Sequence, residues 1–196
     1  MIKRIFDIIF SFLGLILLLP LLLLIALLIK LESKGSLFYL QTRVGKHNKD
    51  FKIFKFRTMF VGSDQKGLLT LGDRDPRITK TGFFLRKYKL DELPQLINVF
   101  IGNMSFVGPR PEVRKYVNYY SQEDLIILSV KPGITDYASI VYRNEAELLK
   151  GVNNPEQFYI ETIMPEKIKW NKKYINSHNL LTDFKIIFKT IQIIIS

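Results

Sequence analysis

The stretch "IIFSFLGLILLLPLLLLIALLI", residues Ile8 to Ile29, contains no charged residue. As a helix it would be roughly 33 Å long, which is enough to cross the hydrocarbon core of a bilayer. No small-residue cleavage site follows it, and charged residues begin directly at Lys30, which is unlike a cleaved signal peptide. We therefore predict a retained membrane anchor over residues 1–34, followed by a second domain over residues 35–196.

Pro20 lies near the middle of this stretch. A proline inside a helix removes one backbone hydrogen bond and clashes with the preceding turn, at a cost of about 3 kcal/mol. One interpretation is a kinked helix that spans the membrane. The other is a helix that breaks at Pro20 and leaves on the face by which it entered. Lysine and arginine flank both ends, so the positive-inside rule places the basic remainder in the cytoplasm under either interpretation.

The amino-acid composition excludes several kinds of catalytic and metal site and indicates the charge of a binding partner. The chain has 196 residues, which suits one domain with an appendage. It contains no cysteine, which excludes disulfides, thiolate metal sites and cysteine nucleophiles. Its two histidines, His47 and His178, leave little scope for histidine-based metal sites or catalytic triads. The net charge of +11 indicates an anionic partner: nucleic acid, anionic lipid or a phosphorylated small molecule.

The remaining patterns predict an α+β fold that is mainly helical with a short β-hairpin. Ser36–Gly45 and Phe51–Met59 have the composition of short strands, joined by the polar turn "KHNKD". Ser63–Gly82 has the composition of a loop, and "VKPGITDY" that of a turn. Helical patterns follow in "FFLRKYKLDELPQLINVFIG", "RPEVRKYVNYYSQEDLIILS", "NEAELLKGV" and "PEKIKWNKKYINSH".

The last stretch, "TDFKIIFKTIQIII", predicts an amphipathic helix capped by Thr182–Asp183. Its apolar face consists of Phe184, Ile187, Phe188, Ile191 and Ile194. Such a face is typical of a core-packing helix or of a helix lying at the bilayer interface, and the sequence leaves both open.

Two adjacent acids, Asp91 and Glu92, lie in "KLDELPQLINVF". Neighbouring helical residues point about 100° apart, so the two carboxylates cannot flank one bond as glycosidase pairs do. Basic residues precede them, and a nearby cation keeps a carboxylate ionised. An ionised carboxylate can act as a nucleophile or bind Mg²⁺, whereas the alternative is a solvated helix face.

Basic residues in two other segments suit anionic groups. In "MSFVGPRPE", Pro109 and Pro111 fix the backbone around Arg110, and Gly108 permits a close approach. An arginine held in this way suits bidentate recognition of phosphate, although Pro111 equally fits a helix start. "FKIFKFRTM" is consistent with a solvated strand face, a nucleic-acid patch or part of a phosphate pocket, and the sequence carries no known nucleic-acid-binding motif.

The chain contains, in order, "KRIFDIIFSFLGLILLLP", "LFYLQTRVGKHNKDFKIFKFRTM", "LRKYKLDELPQLINVFIGNMSFVGPRP", "KPGIT" and "YRNE". Together these motifs resemble the bacterial sugar transferase family, the monotopic phosphoglycosyl transferases that initiate glycan assembly on undecaprenyl phosphate. The resemblance covers nearly the whole chain. It implies that the proline-broken helix is re-entrant and that amphipathic helices lie at the membrane interface.

The resemblance also implies a reaction at the cytoplasmic face of the bacterial inner membrane. A UDP-sugar gives its sugar-1-phosphate to undecaprenyl phosphate, and UMP leaves. Asp91 is the implied nucleophile that forms a covalent phosphosugar, Glu92 assists it, and both are implied ligands of Mg²⁺. The implied phosphate- and nucleotide-binding cations are Lys55, Arg57, Arg86, Arg110 and Arg143. No nucleic-acid partner is implied.

Several positions depart from the family pattern. Leu19 precedes Pro20 where relatives commonly have serine, and Asn103 and Asn171 stand where relatives often carry acids. The sugar, the glycan and the oligomeric state stay open. Two other functions also stay open: a non-enzymatic, membrane-anchored binder of anionic lipid or nucleic acid, and a glycosyl transferase that releases UDP.

Overall fold

The computed structural model describes residues 2–63 and 75–195, so most of the predicted loop Ser63–Gly82 lies outside the described residues. The prediction of a mainly helical chain with a short antiparallel hairpin is confirmed. The α-helices are α1 (Ile2–Glu32), α2 (Lys80–Lys87), α3 (Gln95–Ile101), α4 (Arg114–Val117), α5 (Tyr137–Val141), α6 (Glu145–Lys150), α7 (Pro155–Phe158), α8 (Met164–Ser177) and α9 (Leu180–Ile195). The strands are β1 (Phe38–Val44), β2 (Asp50–Phe56), β3 (Ser105–Val107) and β4 (Gly133–Thr135).

The predicted hairpin pairs β1 with β2 in antiparallel register, with Phe38 opposite Phe56. Its turn passes through His47 and Asn48, whose φ angles of 58° and 60° are left-handed. Phe56 also joins a buried cluster with Ile25 of α1 and Leu85 of α2. The hairpin therefore packs against the C-terminal half of α1.

A second, parallel pair of strands was not predicted, because "VKPGITDY" forms β4 where a turn was expected. β4 pairs with β3, and strands of three residues are too short to show alternation. The backbones of the two segments approach so closely that a β-carbon on Gly133 would lie 2.1 Å from the backbone nitrogen of Gly108. The pair brings the segment of Arg110 next to the end of β4.

The helix predicted across residues 83–102 is broken into three pieces, so that prediction is wrong. α2 ends before Lys89, whose left-handed backbone (φ 56°, ψ 21°) starts a 3₁₀ turn over Leu90–Glu92. Pro94, which has no N–H to donate, then precedes the first turn of α3. Asp91 and Glu92 therefore lie on a short turn between two helices.

α1 continues through Pro20 as one helix, long and apolar enough to cross a membrane. Both of its ends contact the rest of the protein. At the N-terminal end, Lys3 Nζ lies 2.6 Å from Asp183 Oδ2 and 2.8 Å from the Tyr174 hydroxyl. At the C-terminal end, Glu32 accepts hydrogen bonds from the first backbone N–H groups of α2, at 2.6 and 2.8 Å. The boundary at residue 34 stays a prediction.

α9 confirms the predicted C-terminal helix, but its cap differs. Asn179 Oδ1 accepts the backbone N–H of Thr182 at 2.9 Å, whereas Asp183 is buried and pairs with Lys3. One face of α9 packs inward through Ile186, which is fully buried. The opposite face exposes a row of large apolar side chains: Leu181, Phe184, Phe188, Ile191 and Ile194.

Candidate active site

Asp91 and Glu92 are adjacent but have different partners. Glu92 Oε1 accepts hydrogen bonds from Lys55 Nζ, at 2.9 Å, and from Arg110, whose second NH group lies 3.1 Å from Glu92 Oε2. The carboxylate of Asp91, a residue only 8% exposed, accepts no hydrogen bond and forms no ion pair within residues 2–63 and 75–195. Glu92 is therefore paired with two cations, whereas the carboxylate of Asp91 is free to contact a substrate.

This difference moves the two pKa values in opposite directions. Burial raises the pKa of Asp91, and the charge of Glu92 adds to the rise, against the lowering effect of the cations Lys55, Arg86 and Lys89. Burial alone would raise the pKa of Glu92 as well. The charges of Arg110 and Lys55 outweigh this effect and hold the pKa of Glu92 well below its usual range. We expected the neighbouring cations to favour the ionised form of Asp91, and the net direction is the reverse. A carboxylate with a raised pKa is the more basic nucleophile once ionised.

Arg110 is held from both its backbone and its side chain. Its guanidinium group grips Glu92, and its backbone N–H donates to Asp136 Oδ2 at 2.9 Å. Asp136 is fully buried, and its other oxygen accepts the backbone N–H of Ser139 at 2.6 Å, which caps α5. Asp136 was not predicted as a site residue because it follows β4, a strand too short to show a sequence pattern.

A cavity of about 610 Å³ opens beside this turn, within the size range of small-molecule sites. Glu92, Arg110 and Arg143 line its charged wall. Its apolar wall includes Leu93 and Leu96, together with residues near the C-terminal end of α9. Among the residues that the structure describes, Asp91 is not a lining residue, although Glu92 next to it is.

The five predicted substrate-binding cations separate in the structure. Arg110 and Arg143 line the cavity, and Lys55 pairs with Glu92. Arg57 is buried and donates to the backbone carbonyls of Ser33, at 2.8 Å, and Lys34, which joins β2 to the end of α1. Arg86 donates from Nε to Thr58 Oγ1 at 2.9 Å. The structure thus brings two of the five cations to the cavity.

A second polar group on the cavity wall was also missed. Arg43 NH1 donates to the backbone carbonyl of Pro111 at 3.1 Å and lies 3.8 Å from Glu112 Oε2. The hydroxyl of Tyr159 donates to the other oxygen of Glu112. Burial lowers the pKa of Arg43, and burial with the Glu112 charge raises the pKa of Tyr159. Glu112 closes the motif "MSFVGPRPE", whereas Tyr159 carries no local sequence signal.

The two acids fit a divalent cation unequally. Both oxygens of Glu92 already accept hydrogen bonds from cationic side chains. The carboxylate of Asp91 has no such partner, and Mg²⁺ is commonly held by one or two carboxylates with substrate phosphates and water. No group of three acidic or histidine side chains suited to a metal occurs within the described part of the chain. Asp91 therefore fits the predicted Mg²⁺ site, and Glu92 fits it poorly.

Asn103 and Asn171 lie away from the cavity wall. Asn103 is exposed after α3. Asn171 is buried in α8, and its Oδ1 atom has no hydrogen-bond partner among the described residues. Neither amide takes part in the arrangement around Asp91 and Glu92.

The family described as bacterial sugar transferase matches the chain over residues 1–196. The chain belongs to the bacterial sugar transferase family. The chain is 40% identical, over its whole length, to UDP-N-acetylgalactosamine-undecaprenyl-phosphate N-acetylgalactosaminephosphotransferase of Aeromonas hydrophila. Over 97% of its length it is 39% identical to UDP-glucose:undecaprenyl-phosphate glucose-1-phosphate transferase of Escherichia coli K12. The family resemblance drawn from the motifs is confirmed.

The relatives differ in length. The chain spans 44% of the Aeromonas protein and 39% of the Escherichia coli protein. It spans 92% of a third relative, the exopolysaccharide production protein PSS of Rhizobium leguminosarum bv. phaseoli, to which it is 36% identical. The match to the longer proteins therefore covers less than half of each.

Proposed function

We propose that this chain transfers sugar-1-phosphate from a UDP-sugar to undecaprenyl phosphate and releases UMP. The observation that carries the proposal is the unequal treatment of the two acids. Glu92 is saturated by Arg110 and Lys55, while the Asp91 carboxylate is buried, more basic than usual and without a hydrogen-bond partner in the described structure. The names of the Aeromonas and Escherichia coli relatives support the same substrate classes.

Asp91 would act twice in this reaction. One of its oxygens attacks the phosphorus linked to the sugar, the bond from that phosphorus to the bridging oxygen breaks, and UMP leaves with the electron pair. A phosphate oxygen of undecaprenyl phosphate then attacks the same phosphorus and restores the Asp91 carboxylate. Phosphoryl transfer depends mainly on positioning and charge neutralisation, so one carboxylate among cations is sufficient chemistry.

Arg110 and Arg143 would bind the diphosphate of the donor from the charged wall of the cavity. Glu92 and Asp136 hold Arg110 in place, so the cation is positioned before the substrate arrives. Mg²⁺, when bound with the diphosphate and Asp91, would supply further neutralisation of charge. The polar group of Arg43, Glu112 and Tyr159 would face the nucleotide or the sugar.

We also propose that α1 is re-entrant and that the protein lies on the cytoplasmic face of the inner membrane. A straight helix of 31 residues would be roughly 46 Å long. Hydrogen bonds nevertheless tie Lys3 at one end and Glu32 at the other to the same folded body. A helix that crossed the bilayer would carry one end away from that body. The contacts therefore favour a helix that enters and leaves on one face.

The exposed apolar row of α9 supports an interfacial position for that helix. Phe6 of α1 packs edge-on against Phe184 of α9 at 5.3 Å between ring centroids. Phe10 lies 4.4 Å from Phe6 and is half exposed. The apolar surfaces of the two helices are thus continuous, and one lipid layer could cover both.

Release of UMP tests the reaction. The full chain in detergent or nanodiscs is given undecaprenyl phosphate, Mg²⁺ and a panel of UDP-sugars, and the nucleotide product is identified. We expect UMP from at least one donor and none after Asp91→Asn in folded protein. Release of UDP would identify a glycosyl transferase instead, and near-normal UMP release by Asp91→Asn would refute the nucleophile assignment.

Single cysteines test the position of α1, because the native chain has none. Ile5→Cys and Leu31→Cys replace exposed residues near the two ends of α1. A membrane-impermeant maleimide added to spheroplasts, and separately to inverted vesicles, should label both positions from the cytoplasmic face. Labelling from opposite faces would show a spanning helix.

A further inference from the structure

Lys89 and Arg143 differ from the paired cations that line the cavity. Arg110 is gripped by Glu92, and Lys167 is paired with a glutamate at 2.5 Å. Lys89 and Arg143 also line the cavity, but their side chains donate no hydrogen bond and form no ion pair within residues 2–63 and 75–195. These two cations are therefore available to an anion in a way that the paired cations are not.

The backbone at Lys89 is itself unusual. Its left-handed conformation (φ 56°, ψ 21°) crowds the β-carbon of a lysine, and glycine or asparagine would adopt it more readily. Strained residues of this kind cluster at ligand sites. Here the left-handed residue ends α2 and starts the turn that carries Asp91. The turn thus places Lys89 on the cavity wall two residues before the Asp91 carboxylate.

We propose that Lys89 binds the phosphoryl group that is linked to the sugar in the donor, an inference that rests on the proposed function. Asp91 must reach the phosphorus of this group, so the group lies close to the turn of Lys89. The cations already held by Glu92 would have to share their charge between a carboxylate and the substrate. The charge of Lys89 acts on Asp91, but Lys89 forms no ion pair or side-chain hydrogen bond within the described residues, so its ammonium group can neutralise the phosphoryl group directly.

Binding of UDP and of UMP to the full chain tests this assignment without turnover. Isothermal titration in detergent compares the wild type with Lys89→Asn, because asparagine tolerates the left-handed backbone but carries no charge. We expect UDP to bind on the order of tenfold more weakly to Lys89→Asn, since a charge-assisted hydrogen bond is lost. UMP, which lacks the second phosphoryl group, should bind as it does to the wild type, and Lys89→Arg should retain UDP affinity.

Two further variants separate charge and folding from binding. Lys49→Asn removes the charge of an exposed lysine in the hairpin turn, which does not line the cavity, and should leave both affinities unchanged. Lys89→Gly relieves the backbone strain, so its melting temperature should equal or exceed that of the wild type while UDP affinity still falls. A loss of UDP affinity with intact stability would therefore assign the effect to the ammonium group.

Three results would overturn the proposal: undetectable UDP binding by the wild type, normal UDP binding by Lys89→Asn, or equal weakening of UDP and UMP. The proposed function is judged separately. If the wild type binds UDP but releases no UMP from any UDP-sugar, the transferase assignment fails. The comparison of UDP with UMP would still decide whether Lys89 contacts the second phosphoryl group.

Discussion

The buried carboxylate of Asp136 accepts the backbone N–H of Arg110 at 2.9 Å and, through its other oxygen, caps α5. This contact links the strand β4 to the arginine of "GPRP". Because the guanidinium group of Arg110 grips Glu92, the position of the Asp91–Glu92 turn depends on a residue 44 positions after Glu92 in the chain.

Asp136→Ala should lower both stability and donor affinity. Loss of a helix cap costs about 1 kcal/mol, and Arg110 would lose its backbone anchor. Asn154→Ala is the matched control, since Asn154 Oδ1 caps α7 by accepting the backbone N–H of Gln157 at 3.2 Å. Both variants should melt at a lower temperature, but only Asp136→Ala should raise the KM for the UDP-sugar. Equal KM values would limit Asp136 to a structural role.

Asp91→Asn should abolish UMP release and stabilise the fold at neutral pH. The folded-state pKa of Asp91 lies above its usual value, so its favourable contribution exists at low pH and is lost as pH rises through that pKa. Removing the charge should therefore raise the free energy of unfolding by about 0.5–2 kcal/mol at pH 7. Chemical denaturation at pH 7 and pH 4 measures the gain, which should shrink in acid.

Asp124→Asn is the control for that gain, because its pKa moves the other way. Burial raises the pKa of Asp124, but Lys172, 2.7 Å away, and Ser121 outweigh it, so the net shift is downward. Asparagine here should lower stability at neutral pH. A loss of stability in Asp91→Asn as well would contradict the sign predicted for Asp91.

Glu92→Gln should move the acidic limb of kcat/KM to lower pH. The charge of Glu92 raises the pKa of Asp91, and its removal also frees Arg110 and Lys55 to lower that pKa. A smaller fraction of Asp91 would then be protonated at a given pH, so this nucleophile would remain ionised at lower pH than in the wild type. A pH–rate profile of the variant, normalised to its own maximum, gives the shift; an unchanged or higher limb would count against the coupling.

The same variant changes the acid stability of the fold. Glu92 has a depressed folded-state pKa, so its contribution is present above its ordinary value of 4.5 and is lost as pH falls through the folded pKa. Glu92→Gln should be less stable than the wild type at pH 7 and should lose less stability on acidification. Melting temperatures of the wild type and of Glu92→Gln, measured between pH 7 and pH 3, test whether the difference in stability narrows as the pH falls.

Removing Lys3 alone from its ion pair with Asp183, which joins α1 to α9, should lower the free energy of unfolding more than removing both residues. Asp183 is buried against Lys3 and Tyr174, and a buried charge without its partner is costly. Because Lys3 is partly exposed, Lys3→Met should destabilise by about 2 kcal/mol. The double variant Lys3→Met/Asp183→Leu should recover part of that loss in thermal unfolding. Additive losses would show that the two charges do not depend on each other.

Local sequence patterns correctly predicted the helices and strands whose formation depends mainly on residues close together in the chain. Ile8–Ile29 is apolar throughout, two strand-like segments flank a polar turn, and α8 and α9 follow helical periodicity, so these elements agree with the structure. Short or strained elements were missed because they lack a period. β4 has three residues, and the left-handed Lys89 breaks a pattern that otherwise fits one helix.

The sequence by itself determined the family, the apolar helix, the hairpin and the adjacency of Asp91 and Glu92, because each is written in contiguous residues. Only the tertiary structure decided which cation serves which partner. Arg57 satisfies carbonyls at the end of α1, whereas Lys55 and Arg110 saturate Glu92 and leave Asp91 without a partner among the described residues. These contacts join segments far apart in the chain, and their energies depend on burial, which local sequence does not specify.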